Sequence, residues 1–351
     1  MIFFYFFKKG CKNTIFLVPA AFFVFLRQNL KMFYYLNKSL SVQLILILLL
    51  LAWAVFTIVT QVTVTPADGQ LILFQHLAGF WQQHPTNLKV SAVLMLLVET
   101  LLLARYYSVN RFAENQTYIP VVFFLLAVNV GGVLTTLTPA VITVVIMTVV
   151  LMLNAMDENE RPVKNRVFTS GLLVGIASLF DPVAVFAVVF LLLSLITHRY
   201  SKSKEILIML FGLLFVYAYL FSVAFFTDGM TQLVSSLKNL SFFGFVNEVK
   251  TLSVFDYVFV GFTVLLVTYL IIQLKLYYDN KLIVLRKRLV NIHFLMFALA
   301  AMLVFSGLPF SHSLLYVMPT IALYFGMITQ YKSRIILHDV LIVAFFVLLW
   351  L

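Results

Sequence analysis

Long apolar runs alternate with short polar breaks along the chain, and the runs set the expected elements. A helix that crosses a bilayer needs roughly 20 apolar residues. Beyond Met32, eleven candidate runs occur, near 40–60, 88–104, 118–134, 138–154, 167–180, 182–197, 206–226, 254–274, 290–308, 313–329 and 335–351. The pair at 167–180 and 182–197 is short, and Asp181-Pro182 divides it. The longest linkers, 61–87 and 227–253, fall below the size of a soluble domain. The pattern predicts an all-α fold: a polytopic integral membrane bundle of about eleven transmembrane helices, with residues 32–351 as a single domain.

Both long linkers are half-polar. In the first, "TPADGQ" reads as a turn, because Pro, Asp and Gly together stop a helix. In the following "LILFQHLAGFWQQH", Leu73, Phe74, Leu77, Phe80 and Trp81 recur at helical spacing while Gln75, Gln82 and Gln83 fall away from them. Such a helix is expected along the membrane interface with its aromatic side in lipid. The second linker, "TDGMTQLVSSLKNLSFFGFVNEVKTL", predicts a similar interfacial segment. Residues 1–31 fit the pattern poorly. Their apolar run "NTIFLVPAAFFVFL" has 14 residues and contains Pro19, and no small-residue cleavage site follows it. Two readings stay open for this extension: an interfacial segment, or a start placed upstream of a natural Met32.

Composition agrees with a bilayer as the main solvent. Hydrophobic residues make up 63% of the 351, charged residues only 11%, and mean hydropathy is +1.06; a soluble domain is about a quarter charged. The single Cys11 excludes an internal disulfide framework or a cysteine metal cluster. The net charge of +11 is not a nucleic-acid signature, because no basic domain with interleaved aromatics carries it. It sorts instead by side. With residue 38 cytoplasmic and each run crossing once, one side collects Lys38, Arg105, Arg111, Arg161, Lys164, Arg166, Arg199, Lys202, Lys204, Lys275, Lys281, Arg286, Lys287, Arg288, Lys332 and Arg334. The other side holds only Lys89, Lys238 and Lys250. This bias is what the positive-inside rule demands. Merging 167–197 into one helix would reverse every later loop, so the two short runs are expected to form a helical hairpin with Asp181 at its outer tip. A multi-pass protein of the bacterial inner membrane is the expectation.

With that topology the outer side gathers polar residues that the chain otherwise avoids: Asp68, His76, His84, Asp181, Asp228, Lys238, Glu248, Lys250, Asp256 and His312. His76, His84, Asp181, Lys238 and Glu248 are the candidates to bind a substrate there. Asp181 has a plainer reading beside this one, since Asp before Pro is a natural helix N-cap. Within the spans, Glu99 is a functional candidate by default, because a membrane acid is expensive. Its position near Arg105 also suits snorkelling or an internal hydrogen bond. Asn129 in "NVGG" suggests close helix packing. Soluble enzyme chemistries do not fit. The chain has no G-x-x-x-x-G-K-[ST], no G-x-S-x-G and no H-E-x-x-H, and its six histidines scatter to both sides.

Two resemblances bear on function. "GLLVGIASLFDPVAVFAVVFLLLSLITHRYSKSKEILIMLFGLLFVYAYLFSVAFF" (171–226) and "ARYYSVNRFAENQTYIPVVFFLLAV" (104–128) resemble an uncharacterised family of polytopic inner-membrane proteins from gliding and gut-type Gram-negative bacteria. In layout, the first span, acid-bearing outer loop, amphipathic helix and many short helices are similar to the membrane glycosyltransferases of the C superfamily, which use polyprenyl-phosphate sugars. That resemblance implies a cell-envelope glycosyltransferase-like protein with its site on the outer face. Asp68 would be its catalytic acid, orienting or deprotonating an acceptor hydroxyl or holding a divalent metal, and no other cofactor is implied. The implied partners are the bilayer and a polyprenyl-phosphate lipid gripped by basic side chains. The chain departs from that family in having Gly69 after the acid and Asp181 where a cation commonly precedes the hairpin proline. A non-catalytic subunit or scaffold of an envelope or secretion assembly, and a transporter, are the alternatives.

Overall fold

A computed structural model describes residues 36, 39–64, 72–112, 117–155, 163–197, 203–238, 254–279, 282–306, 308–330 and 335–350. The N-terminal extension lies outside them. The described chain is helical apart from two two-residue strands. In order it runs α1 (Leu40–Gln61), β1 (Thr63–Val64), α2 (Ile72–Gln83), α3 (Pro85–Val109) and α4 (Ile119–Val130). A 3-10 turn (Val133–Thr135) leads to β2 (Thr136–Leu137), α5 (Pro139–Ala155) and α6 (Val163–Phe180). A second 3-10 turn (Pro182–Phe186) leads to α7 (Ala187–Thr197), α8 (Ser203–Phe226), α9 (Met230–Lys238), α10 (Val254–Tyr278) and α11 (Ile283–Phe305). The chain ends with α12 (Phe310–Ser313), a third 3-10 turn (Leu314–Tyr316), α13 (Met318–Ile328) and α14 (Ile335–Trp350). Five helices are long and apolar enough to cross a membrane: Leu40–Gln61, Pro85–Val109, Ser203–Phe226, Val254–Leu276 and Ile283–Phe305. The other apolar helices, such as α4, α5 and α13, are shorter. The chain is a helical membrane protein.

Hydrogen bonds between distant loops gather the chain into two ends. At one end the Gln43 amide oxygen accepts from Thr117 Oγ1 at 3.1 Å and from the Tyr118 N–H at 2.7 Å. There too the Tyr278 hydroxyl donates to the Phe112 carbonyl at 2.9 Å, and Arg288 Nη1 donates to the Asn110 carbonyl at 3.3 Å. These contacts join loops that the charge bias assigns to the cytoplasmic side; this is the basic end. At the far end β1 pairs in parallel with β2, Thr63 opposite Thr136 and Val64 opposite Leu137. Phe186 stacks on Phe305 with ring centroids 4.7 Å apart at that same end. Each of these contacts joins loops that the charge bias assigns to one side.

The helix α4 shows how a short segment can match a long one. Its 12 residues rise about 18 Å, whereas the hydrocarbon layer is about 30 Å thick. The chain makes up the difference with the 3-10 turn and β2. Gln43 meets residues 117–118, Asn129 Nδ2 reaches the Leu50 carbonyl at 3.3 Å, and Thr63 reaches the Thr135 carbonyl at 3.2 Å, so 117–137 runs beside α1 along its whole length. Gly132 turns the chain out of the helix at φ 63°, which only glycine adopts without a Cβ penalty. Backbone groups freed in this irregular stretch are paired again. The Gly131 N–H donates to the Ala127 carbonyl at 2.8 Å and the Thr135 N–H to the Gly132 carbonyl at 3.2 Å. Such repair is the condition for irregular backbone at membrane depth.

Packing reverses the usual order of inside and outside. On α1, Gln43 is fully buried while Leu48 and Phe56 are more than two-thirds exposed, turned outward as lipid-facing residues are. Every residue of α13 is buried, and most of α4 with it. Phe123, Phe325, Phe345 and Phe346 knit these central helices, with neighbouring ring centroids 5.4 Å apart. Helices α6 and α8 pack in parallel through Gly171 and Gly212, where an added Cβ would lie 2.1 Å from the Met209 carbonyl oxygen and 2.4 Å from that of Phe168. Small residues at the crossing let the backbones touch, which drives association where lipid is as apolar as leucine.

Candidate functional site

The first outer linker is anchored at both described ends. After α1 the chain enters the β1–β2 clip, and α2 lies across α3 and α6. The aromatic side of α2 is divided: Phe80 stays exposed, while the other two rings turn into protein. Phe74, Ala78 and Trp81 are buried against the bundle, with Phe74 and Trp81 edge to face at 6.2 Å. An amphipathic helix buries its apolar stripe in whatever apolar surface is nearest, and here that surface is protein. His76 stays exposed, and His84, exposed at the cap position of α3, tilts against Phe80 at 4.9 Å. Asp68 and Glu248 lie outside the described residues; Lys238 is the last residue of α9. His312, in α12, is half-buried, and desolvation lowers its pKa below the ordinary imidazole range.

Asp181 stands at the expected break but turns its side chain inward. Its N–H closes α6 on the Ala177 carbonyl at 2.9 Å, and its carbonyl accepts from the Ala184 N–H at 3.0 Å to open the 3-10 turn. The hairpin break at Asp181-Pro182 is thus real. The side chain, however, does not reach the surface, at 5% exposure. It turns into the bundle, where Oδ2 accepts from Thr143 Oγ1 at 3.3 Å and from the Tyr316 hydroxyl. A buried acid takes the donors that save it from desolvation, and α5 and the third 3-10 turn supply them. Asp181 therefore ties α6 to α5 and to the entry of α13.

Glu99 is also a buried acid, 2% exposed, as is Asp339. It lies near the middle of α3, about 15 Å along the axis from Val109, so it does not snorkel to the basic end. Oε1 pairs with Thr148 Oγ1 at 2.7 Å, while Oε2 is buried without a hydrogen-bond partner. The side chain lines a cavity of about 40 Å³ together with Val62, Ala92, Phe124, Thr136 and Val144. The wall thus runs from Glu99 to the β1–β2 clip. Thr143 and Thr148 both belong to α5, five residues or about 7.5 Å apart along its axis, so one helix serves both acids. Among the described residues no three metal-ligating side chains gather. The cavity has room for water but not for a sugar.

The site residues that the sequence reading did not single out are Thr143, Thr148 and Tyr316. The available signal was slight: two hydroxyls spaced five apart in "PAVITVVIMTVVLMLNA", apolar otherwise but for Asn154. Asn129 behaves as its surroundings suggested, donating from Nδ2 to the Leu125 carbonyl at 2.7 Å and joining α4 to α1.

Residues 69–351 match DUF6427, a family of unknown function. The chain belongs to this family. No curated protein and no solved structure matches it.

Proposed function

We propose that this chain is a multi-pass inner-membrane protein of the bacterial envelope, a glycosyltransferase-like enzyme that uses a polyprenyl-phosphate sugar at its outer face. In this reading each short apolar helix is a crossing, giving about eleven, and the far end of the bundle faces outward. The observation that carries it is the anchoring of the first outer linker. The β1–β2 clip holds one side of it and the buried face of α2 the other, so only residues 65–71 separate two fixed points. Asp68 belongs to that short connection. In this reading the Asp68 carboxylate orients or deprotonates an acceptor hydroxyl, while Lys89 and Lys238, which the charge bias assigns to the same side, grip the lipid phosphate. The sugar passes from that phosphate to the acceptor oxygen, and polyprenyl phosphate leaves.

The test compares envelope glycans and glycolipids by mass spectrometry in cells lacking the chain, complemented with wild type or Asp68→Asn. A sugar addition lost in the deletion, restored by wild type and not by an equally inserted Asp68→Asn, is the expected result. An unchanged glycan profile in the deletion, or full restoration by Asp68→Asn, overturns it. A second reading, transport, is favoured by one observation: Glu99 faces a cavity in the bundle interior instead of lipid.

A further inference from the structure

We infer that Glu99 is a proton-binding site: a carboxyl kept protonated inside the bundle, whose proton exchanges with water entering from the far end through the cavity beside it. The inference stands apart from the assignment of Asp68 and from any transport role.

Four observations carry it. First, among the described residues no charge lines the cavity beside Glu99. Its cavity is lined from α3, α4, α5, the first 3-10 turn, β2 and the third 3-10 turn, and among those lining residues Glu99 is the only titratable one; Thr136 is the only other polar side chain. The nearest other buried acid along α5 is Asp181, which has its own donors. An ionised carboxylate without a counter-charge costs so much in apolar surroundings that the group takes up a proton instead.

Second, the hydroxyl of Thr148 has one proton and two acceptors in reach, Glu99 Oε1 at 2.7 Å and the Val144 carbonyl at 3.1 Å. It cannot satisfy both if Glu99 is ionised. If Glu99 is protonated, its O–H donates to Thr148 and Thr148 donates to Val144, and both contacts are made at once.

Third, Glu99 Oε2 is buried with no hydrogen-bond partner, in a side chain that lines the cavity. The volume of about 40 Å³ exceeds the roughly 10–15 Å³ that one water needs. Water there exchanges the proton when the O–H turns from Thr148 toward the cavity. The wall reaches Val62, Thr136 and Leu137, next to the exposed Thr63 of the clip, which gives exchange its route. Fourth, among the described residues no other metal-ligating side chains gather with Glu99 to hold a metal cation. The proton is the cation that a single carboxyl binds.

The experiment is infrared spectroscopy of the purified full chain in lipid at neutral pH, reading the C=O stretch of protonated carboxylic acid. The expected result is a band in wild type that shifts promptly in D₂O and is missing in Glu99→Gln. Thr148→Val serves as the second variant and should keep the band but move it, since the carboxyl loses its hydroxyl partner. Should Glu99→Gln not fold, the displacement in Thr148→Val decides. A band absent from wild type, unmoved by Thr148→Val, or unshifted in D₂O overturns the inference. So does its loss when sodium is raised at constant pH, which would mark a metal-cation site.

Discussion

Asp181 and Glu99 are both buried acids served by threonines of α5, yet their second oxygens and their neighbours differ. Asp181 stands at a chain reversal and receives two hydroxyls on one oxygen, from Thr143 and Tyr316. Its lone pairs there are taken, and three segments meet on it. Glu99 stands midway along α3, shares one hydroxyl with a backbone carbonyl, and keeps its other oxygen buried without a hydrogen-bond partner among the described residues, in a side chain that lines a cavity. The first arrangement fixes structure. The second leaves capacity to bind. Burial alone does not separate the two, since both are almost fully covered; the count of donors does.

Substitutions can break this contrast, and their effects on stability should fall in a set order. Asp181→Ala should cost most, because it strands two buried hydroxyls at about 1–3 kcal/mol each. Its thermal midpoint in detergent should drop furthest of the series; a wild-type midpoint would show that the clamp holds nothing. Tyr316→Phe removes one hydrogen bond to a charged group and should cost about 1.5–3 kcal/mol in the same measurement. Glu99→Gln should be mildest, below about 1.5 kcal/mol, because the carboxamide keeps the volume of a neutral acid. If Glu99→Gln unfolded the protein as readily as Asp181→Ala, the two acids would share one structural role.

Much of this arrangement was legible in the sequence, and the illegible part has a physical reason. Lysine and arginine placement predicted which loops share an end, because charge cannot be left in hydrocarbon whatever the packing. The break at Asp181-Pro182 was legible for a related reason: proline has no N–H to continue α6. The length of α4 was not, since its run from 118 to 134 is apolar but for Asn129 although the helix stops at Val130. Nor was the direction of α2 or of Asp181. A hydrophobic face satisfies lipid and protein equally, so periodicity cannot say which one Phe74 and Trp81 meet. The partners of Asp181 lie 38 and 135 residues away in the chain, and local spacing carries no trace of them. The depth of Glu99 was obscured by Arg105, six positions on, which suggested an edge that α3 does not reach until Val109.

The most direct test of the contrast between the acids sets Glu99→Gln beside Asp181→Asn and reads the protonated-carboxyl infrared band of both at neutral pH. The band should vanish in Glu99→Gln and persist in Asp181→Asn. Loss of the band in Asp181→Asn, with Glu99→Gln unchanged from wild type, would contradict the account.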